Sequence, residues 1–353
     1  MTAGIIVGGS VLIFTLIVGA MWVFGGRAKQ RLAAQYPPPG QMVDVGGYRM
    51  HIHCQGHVRR DGGPTVVLDT GLGEPALTWG SMPRKVAEFA RVCTYDRAGL
   101  GWSEPSPKPR IASHVVGELR TLLTRAHVAP PYVLVGHSIG GLYACVYAHE
   151  HPDEVAGLVL LDGAHEEHDL RQPEAVAKLS KLTNNASVWA FRLFRMLNSV
   201  GLMALMRDTV SKMWWGAIPD ETREVYIGLA CSGTGAFEAM AREAKSIWDC
   251  MDEFRAMRVR SLGDLPLVVV SRGRPAVSAG AGVSAEDAEQ FEAMHRDMQA
   301  ELAARSSRGK HIIAEASGHY VHLGQPELVI AAIREVVEAA QAVDGVAGNW
   351  NCP

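Results

Sequence analysis

The chain has 353 residues, 48% of them hydrophobic, and a formal net charge of −3. That is enough for one large α/β domain with a substantial core, or for two smaller ones. The mixed, nearly balanced charge, with no basic stripe, no GxxxxGK[ST] and no GxGxxG opening a helix, speaks against nucleic-acid partners and phosphate-cradling loops.

Taken in chain order, the first signal is Gly4 to Phe24, "GIIVGGSVLIFTLIVGAMWVF", which has no charge and only Ser10 and Thr15 as polar side chains. About 20 apolar residues suffice to cross a bilayer, and the basic n-region and small-x-small site of a cleaved signal peptide are missing. The expectation is a retained membrane anchor over residues 1–26. Arg27, Lys29 and Arg31 follow it, which by the positive-inside tendency places the remaining domain in the cytoplasm. Residues 27–41, with "YPPPG", read as a stiff linker.

From residue 42 strands and helices alternate. "YRMHIHCQG", "PTVVLDTG", "RVCTYD", "YVLVG" and "VAGLVLLD" read as strands; "ALTWGSMPRKVAEFA", "HVVGELRTLLTRAHV" and "LYACVYAHEHP" read as helices. Strands apolar on both faces and separated by helices predict a parallel sheet covered on both sides. Residues 163–262 then look helical, without a convincing strand, and the alternation resumes with "LPLVVVS", a long helix from Ser284, "KHIIAEA" and a last helix. The expected organisation is an α/β core over 42–162 and 263–341, a helical lid over 163–262 and a flexible tail over 342–353. The cysteines, Cys54, Cys93, Cys145, Cys231, Cys250 and Cys352, are scattered without CxxC spacing. They fit neither a disulfide framework nor a zinc site, and most are expected reduced. His51 and His53 alternate on one strand face, but nothing is spaced to complete a metal site with them, so no metal is expected.

The chemistry centres on "YVLVGHSIGG". A serine with glycine two residues away on each side, between a strand and a helix, can sit on a sharp strained turn where other side chains would clash. Ser138 would then expose its Oγ as a nucleophile, with the next backbone N–H, of Ile139, free to hold a developing oxyanion.

"GHSIGG" resembles the nucleophile elbow of the α/β-hydrolase superfamily. "LDTGLGEPALTW" resembles that superfamily's oxyanion loop, and "YDRAGLGWS" the segment after the following strand. "SGHYVHLGQPELV" resembles the segment carrying the superfamily's catalytic histidine. The four stand in family order and span most of residues 42–341. The resemblance implies an α/β-hydrolase fold, a mostly parallel sheet flanked by helices with a lid between two strands. It also implies His319 as base, with Leu72 N–H as second oxyanion donor beside Ile139. Thr70 stands where the family usually has histidine, which leaves a backbone donor possible. The acid stays open: the turn after "LPLVVVS" reads "SRGRPAVSAG" without a carboxylate, so the candidates are Asp162, at the end of the preceding strand, and Glu286 or Asp287. His137 and His322 are expected to pack rather than react, and Asp96 and Arg97 to form an ion pair or fix a loop. The implied activity is a cofactor-free serine esterase, Ser138–His319–Asp162. A thioesterase, amidase, acyltransferase or cofactor-free lyase on the same fold, or a non-catalytic binding protein, are the alternatives. Trp189, Phe191, Phe194, Met196, Met203, Met206, Met213, Trp214 and Trp215 crowd the lid, either as its core or as an apolar pocket for a hydrophobic ester.

Overall fold

The computed structural model describes residues 2–57, 63–213, 218–233 and 235–347; the side chains of 2–9, 11, 14, 17, 213 and 343–347 lie outside that description. Eight strands form one sheet: β1 (Gln41–Asp44), β2 (Arg49–Gln55), β3 (Thr65–Asp69), β4 (Val92–Tyr95), β5 (Tyr132–His137), β6 (Val155–Leu161), β7 (Leu267–Arg272) and β8 (Gly309–Ala314). Their order is β1-β2-β4-β3-β5-β6-β7-β8. β1 and β2 run antiparallel, and the strands from β4 to β8 are parallel.

The central strands β3, β5, β6 and β7 are buried at almost every position because both faces are covered. In β3, Val66 and Leu68 enter one core with Val133, Val135 and Val268, while Val67 enters the opposite core with Leu134 and Val269. Each such buried side chain contributes about 1.5–3 kcal/mol of transfer free energy. The helices that do the covering follow the same chain order. α1 (Thr2–Gln35) precedes the sheet, α2 (Met82–Val86) follows β3, α3 (Ala112–Arg125) follows β4, and α4 (Ile139–Glu150) follows β5. Between β6 and β7 come α5 (His168–Arg171), α6 (Glu174–Ser199), α7 (Leu202–Leu205), α8 (Arg207–Met213), α9 (Asp220–Ser232) and α10 (Gly235–Met257). α11 (Ala285–Ala304), α12 (Val321–Gly324) and α13 (Pro326–Ala347) complete the fold.

Several expectations are corrected here. Among the described residues no helix is long and apolar enough to cross a membrane, so the single-pass anchor and the cytoplasmic placement read from its flanking charges fall together. Most of the side chains from Gly4 to Val11 lie outside the described residues. The later part of α1 is taken up by protein packing instead. Gly25 lies so close to Gly201 that a Cβ there would come within 2.4 Å of the Gly201 Cα. Leu32 is buried with Met203 and Ile227, and Lys29 Nζ donates to the Asn198 carbonyl at 3.2 Å. Residues 27–35 are therefore helical rather than a linker; the polyproline stretch alone connects α1 to β1. The expected helix after β3 is broken by Gly80 (φ 53°) into a 3-10 turn and α2. α13 continues to Ala347, into the expected tail, and residues 348–353, Cys352 included, lie outside the described residues. Cys54 and Cys93, directly paired across β2 and β4, form a disulfide, which sequence spacing did not reveal because strand register alone brings them together. Cys145, Cys231 and Cys250 are free and buried.

Candidate active site

Ser138 stands between the last residue of β5 and the first of α4, with φ 55° and ψ −119°. A non-glycine residue held there costs on the order of 1–3 kcal/mol and persists only where the surroundings over-determine it. They do so here: Ser138 N–H donates to Leu161 O at 3.0 Å, and its carbonyl accepts from Gly141 N–H at 3.0 Å and Ala164 N–H at 2.9 Å. The flanking glycines are sterically required. A Cβ on Gly136 would lie 2.3 Å from the Gly140 carbonyl oxygen, and one on Gly140 would lie 2.7 Å from Thr70 O.

His319 lies in the loop after β8, and its Nδ1 is 2.6 Å from Asp162 Oδ2. That bond fixes the ring and leaves Nε2 as the basic nitrogen. Asp162 follows β6, itself at φ 44°, and is 2% exposed. Its Oδ1 accepts from the Arg272 backbone N–H at 3.0 Å and lies 2.8 Å from His295 Nε2, while Arg272 Nη1 reaches Oδ2 at 3.0 Å. Burial pushes the Asp162 carboxyl up, but hydrogen bonds from His295 and His319 hold it well below the ordinary carboxylate range. Burial also lowers His319, against the raising effect of Asp162, and His137 lowers it further. Arg272 and His295 were not singled out in the sequence: the end of β7, where a carboxylate was sought, carries an arginine that pairs with the acid from the neighbouring strand. Glu286 and Asp287 are not brought near. They occupy the exposed first turn of α11, where Asp287 N–H donates to Ser284 Oγ at 2.9 Å as an N-cap.

Ile139 opens α4, where a helical N–H has no partner within the helix. Leu72 lies half-buried in the turn after β3. The N–H groups on either side of it are occupied, Gly71 by Glu74 Oε2 at 3.0 Å and Gly73 by Glu243 Oε2 at 2.8 Å. Among the described residues Leu72 N–H has no acceptor. Asp96 and Arg97 are both buried and bond to different partners. Asp96 binds His51 Nδ1 at 2.8 Å and the Ala76 N–H at 2.7 Å, so His51 is a partner of this loop. Arg97 binds Asp69 and the Thr70 carbonyl. His137 and His322 are buried, His137 Nε2 lying 3.1 Å from the His319 carbonyl oxygen.

Ser138, Ile139, Asp162 and His319 line one cavity of about 220 Å³. Its apolar wall is Ile247, Trp248, Met251 and Met298, with His165, His168 and Gln299 also on the lining. The aromatic and methionine residues singled out between 189 and 206 are elsewhere. Trp189, Met196 and Met206 are exposed, whereas Phe191, Phe194 and Met203 pack with Leu32 and Phe237. The side chain of Met213, and Trp214 and Trp215 altogether, lie outside the described residues.

The sequence profile of the alpha/beta hydrolase fold matches residues 64–193. A probable transporter, efuK, from Hormonema carpetanum is 25% identical over 323 residues, covering 87% of this chain but 44% of that protein. The chain thus spans less than half the length of that relative. Among solved structures, a thermophilic esterase from Thermogutta terrifontis superposes with TM-score 0.53 at 20% identity, over 85% of this chain and 97% of that one. The Cif epoxide hydrolase from Acinetobacter nosocomialis gives TM-score 0.64 at 12% identity, over 89% and 96%. At these identities the two structures speak for the fold alone. The sheet order, the strained turn after β5 and the profile over residues 64–193 agree, and the chain has the α/β-hydrolase fold.

Proposed function

We propose that the protein is a serine hydrolase that cleaves carboxylic esters. The observation that carries this reading is the bonded pair His319–Asp162 on the same cavity as Ser138, held strained at the end of β5. Ser138 Oγ attacks the ester carbonyl carbon while His319 Nε2 takes its proton. The carbonyl oxygen becomes an oxyanion, held by Ile139 and Leu72 N–H groups. Collapse expels the alcohol, which receives the proton from His319 and leaves an acyl group on Ser138. Water, deprotonated by His319, then attacks the acyl-enzyme and releases the carboxylic acid. Asp162 keeps the imidazole in its working tautomer throughout.

The helices between β6 and β7 act as a lid, with α10 supplying Ile247, Trp248 and Met251 to the cavity. The cavity is smaller than the roughly 300–1,000 Å³ of drug-sized sites, and its wall is apolar. Both features favour an uncharged ester with a short acyl group. The test is treatment of the full-length protein with a fluorophosphonate probe, reading intact mass and the labelled peptide, with Ser138→Ala as control. A single adduct on Ser138, absent from the variant, is the expected result. Folded protein that takes no label would reject the hydrolase reading.

A further inference from the structure

The turn that carries Leu72 N–H is not held by the sheet alone. Glu243, on α10 in the helical insertion, is 2% exposed and reaches into the core beneath that turn. Its Oε2 accepts the Gly73 N–H at 2.8 Å. Arg97 donates to it twice, Nε to Oε1 at 2.8 Å and Nη2 to Oε2 at 3.0 Å. The same guanidinium donates to Gly71 O, to Thr70 O at 2.8 Å and to Asp69 Oδ1 at 2.7 Å. Leu72 is therefore clamped from both sides, through the Gly71 carbonyl and the Gly73 N–H. Gly73 has φ 70°, and a Cβ there would stand 3.2 Å from Met240 Cγ, so α10 also closes on the turn sterically. Four residues after Glu243, on the same helix face, Ile247 begins the cavity's apolar wall.

We infer that Glu243 is a positioning residue that aims the Leu72 N–H at the oxyanion, tying the oxyanion turn to the helix that forms the acyl wall. The inference rests on the esterase reading above. Burial raises the Glu243 carboxyl, and Arg97 more than reverses this, so the group carries its charge. One helix thus sets both the acyl wall and the oxyanion donor. Because an oxyanion forms only after attack, loss of Glu243 should appear in kcat rather than in KM.

The experiment is steady-state hydrolysis of p-nitrophenyl acetate by full-length wild type, Glu243→Gln and Glu243→Asp, with fluorophosphonate labelling rates beside it. Glu238→Gln, an exposed partner of Arg195 on the same helix, is the control. Circular dichroism and Tm establish folding. Removing a whole oxyanion donor costs about 10²–10³ in kcat, so a displaced one should cost about 10–100-fold. The expected result for Glu243→Gln is that loss in kcat and in labelling rate, with KM within about threefold of wild type. If loss of one of Arg97's two carboxylate partners unfolds that variant, Glu243→Asp keeps the charge and withdraws the carboxylate by one methylene, and is read by the same criteria. A folded variant with kcat less than tenfold below wild type, or with its loss carried by KM, overturns the inference. Wild type that fails to label at Ser138 brings down the esterase reading itself, and the inference with it.

Discussion

Asp162 is surrounded by His319, His295 and Arg272 while almost out of solvent, and that environment decides its chemistry. A carboxylate so held stays ionised, and on the esterase reading it orients the imidazole rather than taking its proton. Replacing it with Asn keeps the shape but removes the charge and presents the wrong tautomer partner. Asp162→Asn should lower kcat by about 10³–10⁴-fold. It also removes the effect that raises His319, so the acidic limb of kcat/KM, already expected below about pH 6.5, should move further down. Glu286→Gln and Asp287→Asn should leave the rate within about threefold; a loss in either as large as in Asp162→Asn would move the acid to α11. Gly140→Ala tests the elbow itself. Its Cβ would press on the Thr70 and Asp69 carbonyls, neither of them a side chain that can turn away, and overpacking of this kind costs typically 1–3 kcal/mol. A variant with unchanged Tm and full labelling would contradict the steric account.

At the scale of elements, α10 joins two regions that the chain keeps far apart. It lies some 170 positions beyond the turn it holds, and it faces the cavity with Ile247, Trp248 and Met251. On the esterase reading proposed above, this wall limits the length of the acyl group. Trp248→Ala opens that wall, and because a methylene in an apolar pocket is worth about 1–3 kcal/mol, the kcat/KM ratio of octanoate to acetate p-nitrophenyl esters should rise about tenfold or more. An unchanged chain-length profile would place the acyl group outside this cavity. Of the two readings of the apolar residues between 189 and 206, lid core and acyl pocket, Phe191, Phe194 and Met203 follow the first. Helical apolar residues fill whatever face the fold gives them, and here Phe191, Phe194 and Met203 face α1 and α9.

For the whole molecule the fully and partly buried imidazoles set the response to acid. Burial lowers His322 far below its ordinary value, His168 to about 4, and His165 and His319 as well. Each stays neutral in the folded chain and takes up a proton near pH 6.5 once unfolded. The stability they contribute is present above that pH and is lost as the pH falls below it. Glu74, which burial alone would raise, is brought down to about 2, chiefly by its hydrogen bond with His137. Its share is lost from about pH 4.5 downward. Asp69, raised by burial, acts in the opposite sense. The net expectation is a Tm that is highest above about pH 6.5 and falls by on the order of 10 °C by pH 4. A flat profile would mean that these groups are solvated in the folded chain.

Some of this was legible without coordinates, because it depends on neighbours in the chain. Strands covered on both faces must be apolar throughout, so β3, β5, β6 and β7 could be read as a parallel sheet. A serine between Gly136 and Gly140, with a strand before it and a helix after, announces its own turn, and His319 stands in a comparable loop after β8. What depends on neighbours in space could not be read that way. That Asp162 rather than Glu286 or Asp287 lies against His319 follows from the tertiary placement of the end of β6, and the Cys54–Cys93 bond from the register of two antiparallel strands. The burial of Arg97 against Glu243, and the packing of the later part of α1 on the insertion instead of a membrane span, were likewise settled by which surfaces meet. Local sequence specifies conformation and exposure pattern, whereas pairing between distant segments follows from the closed packing of the whole chain.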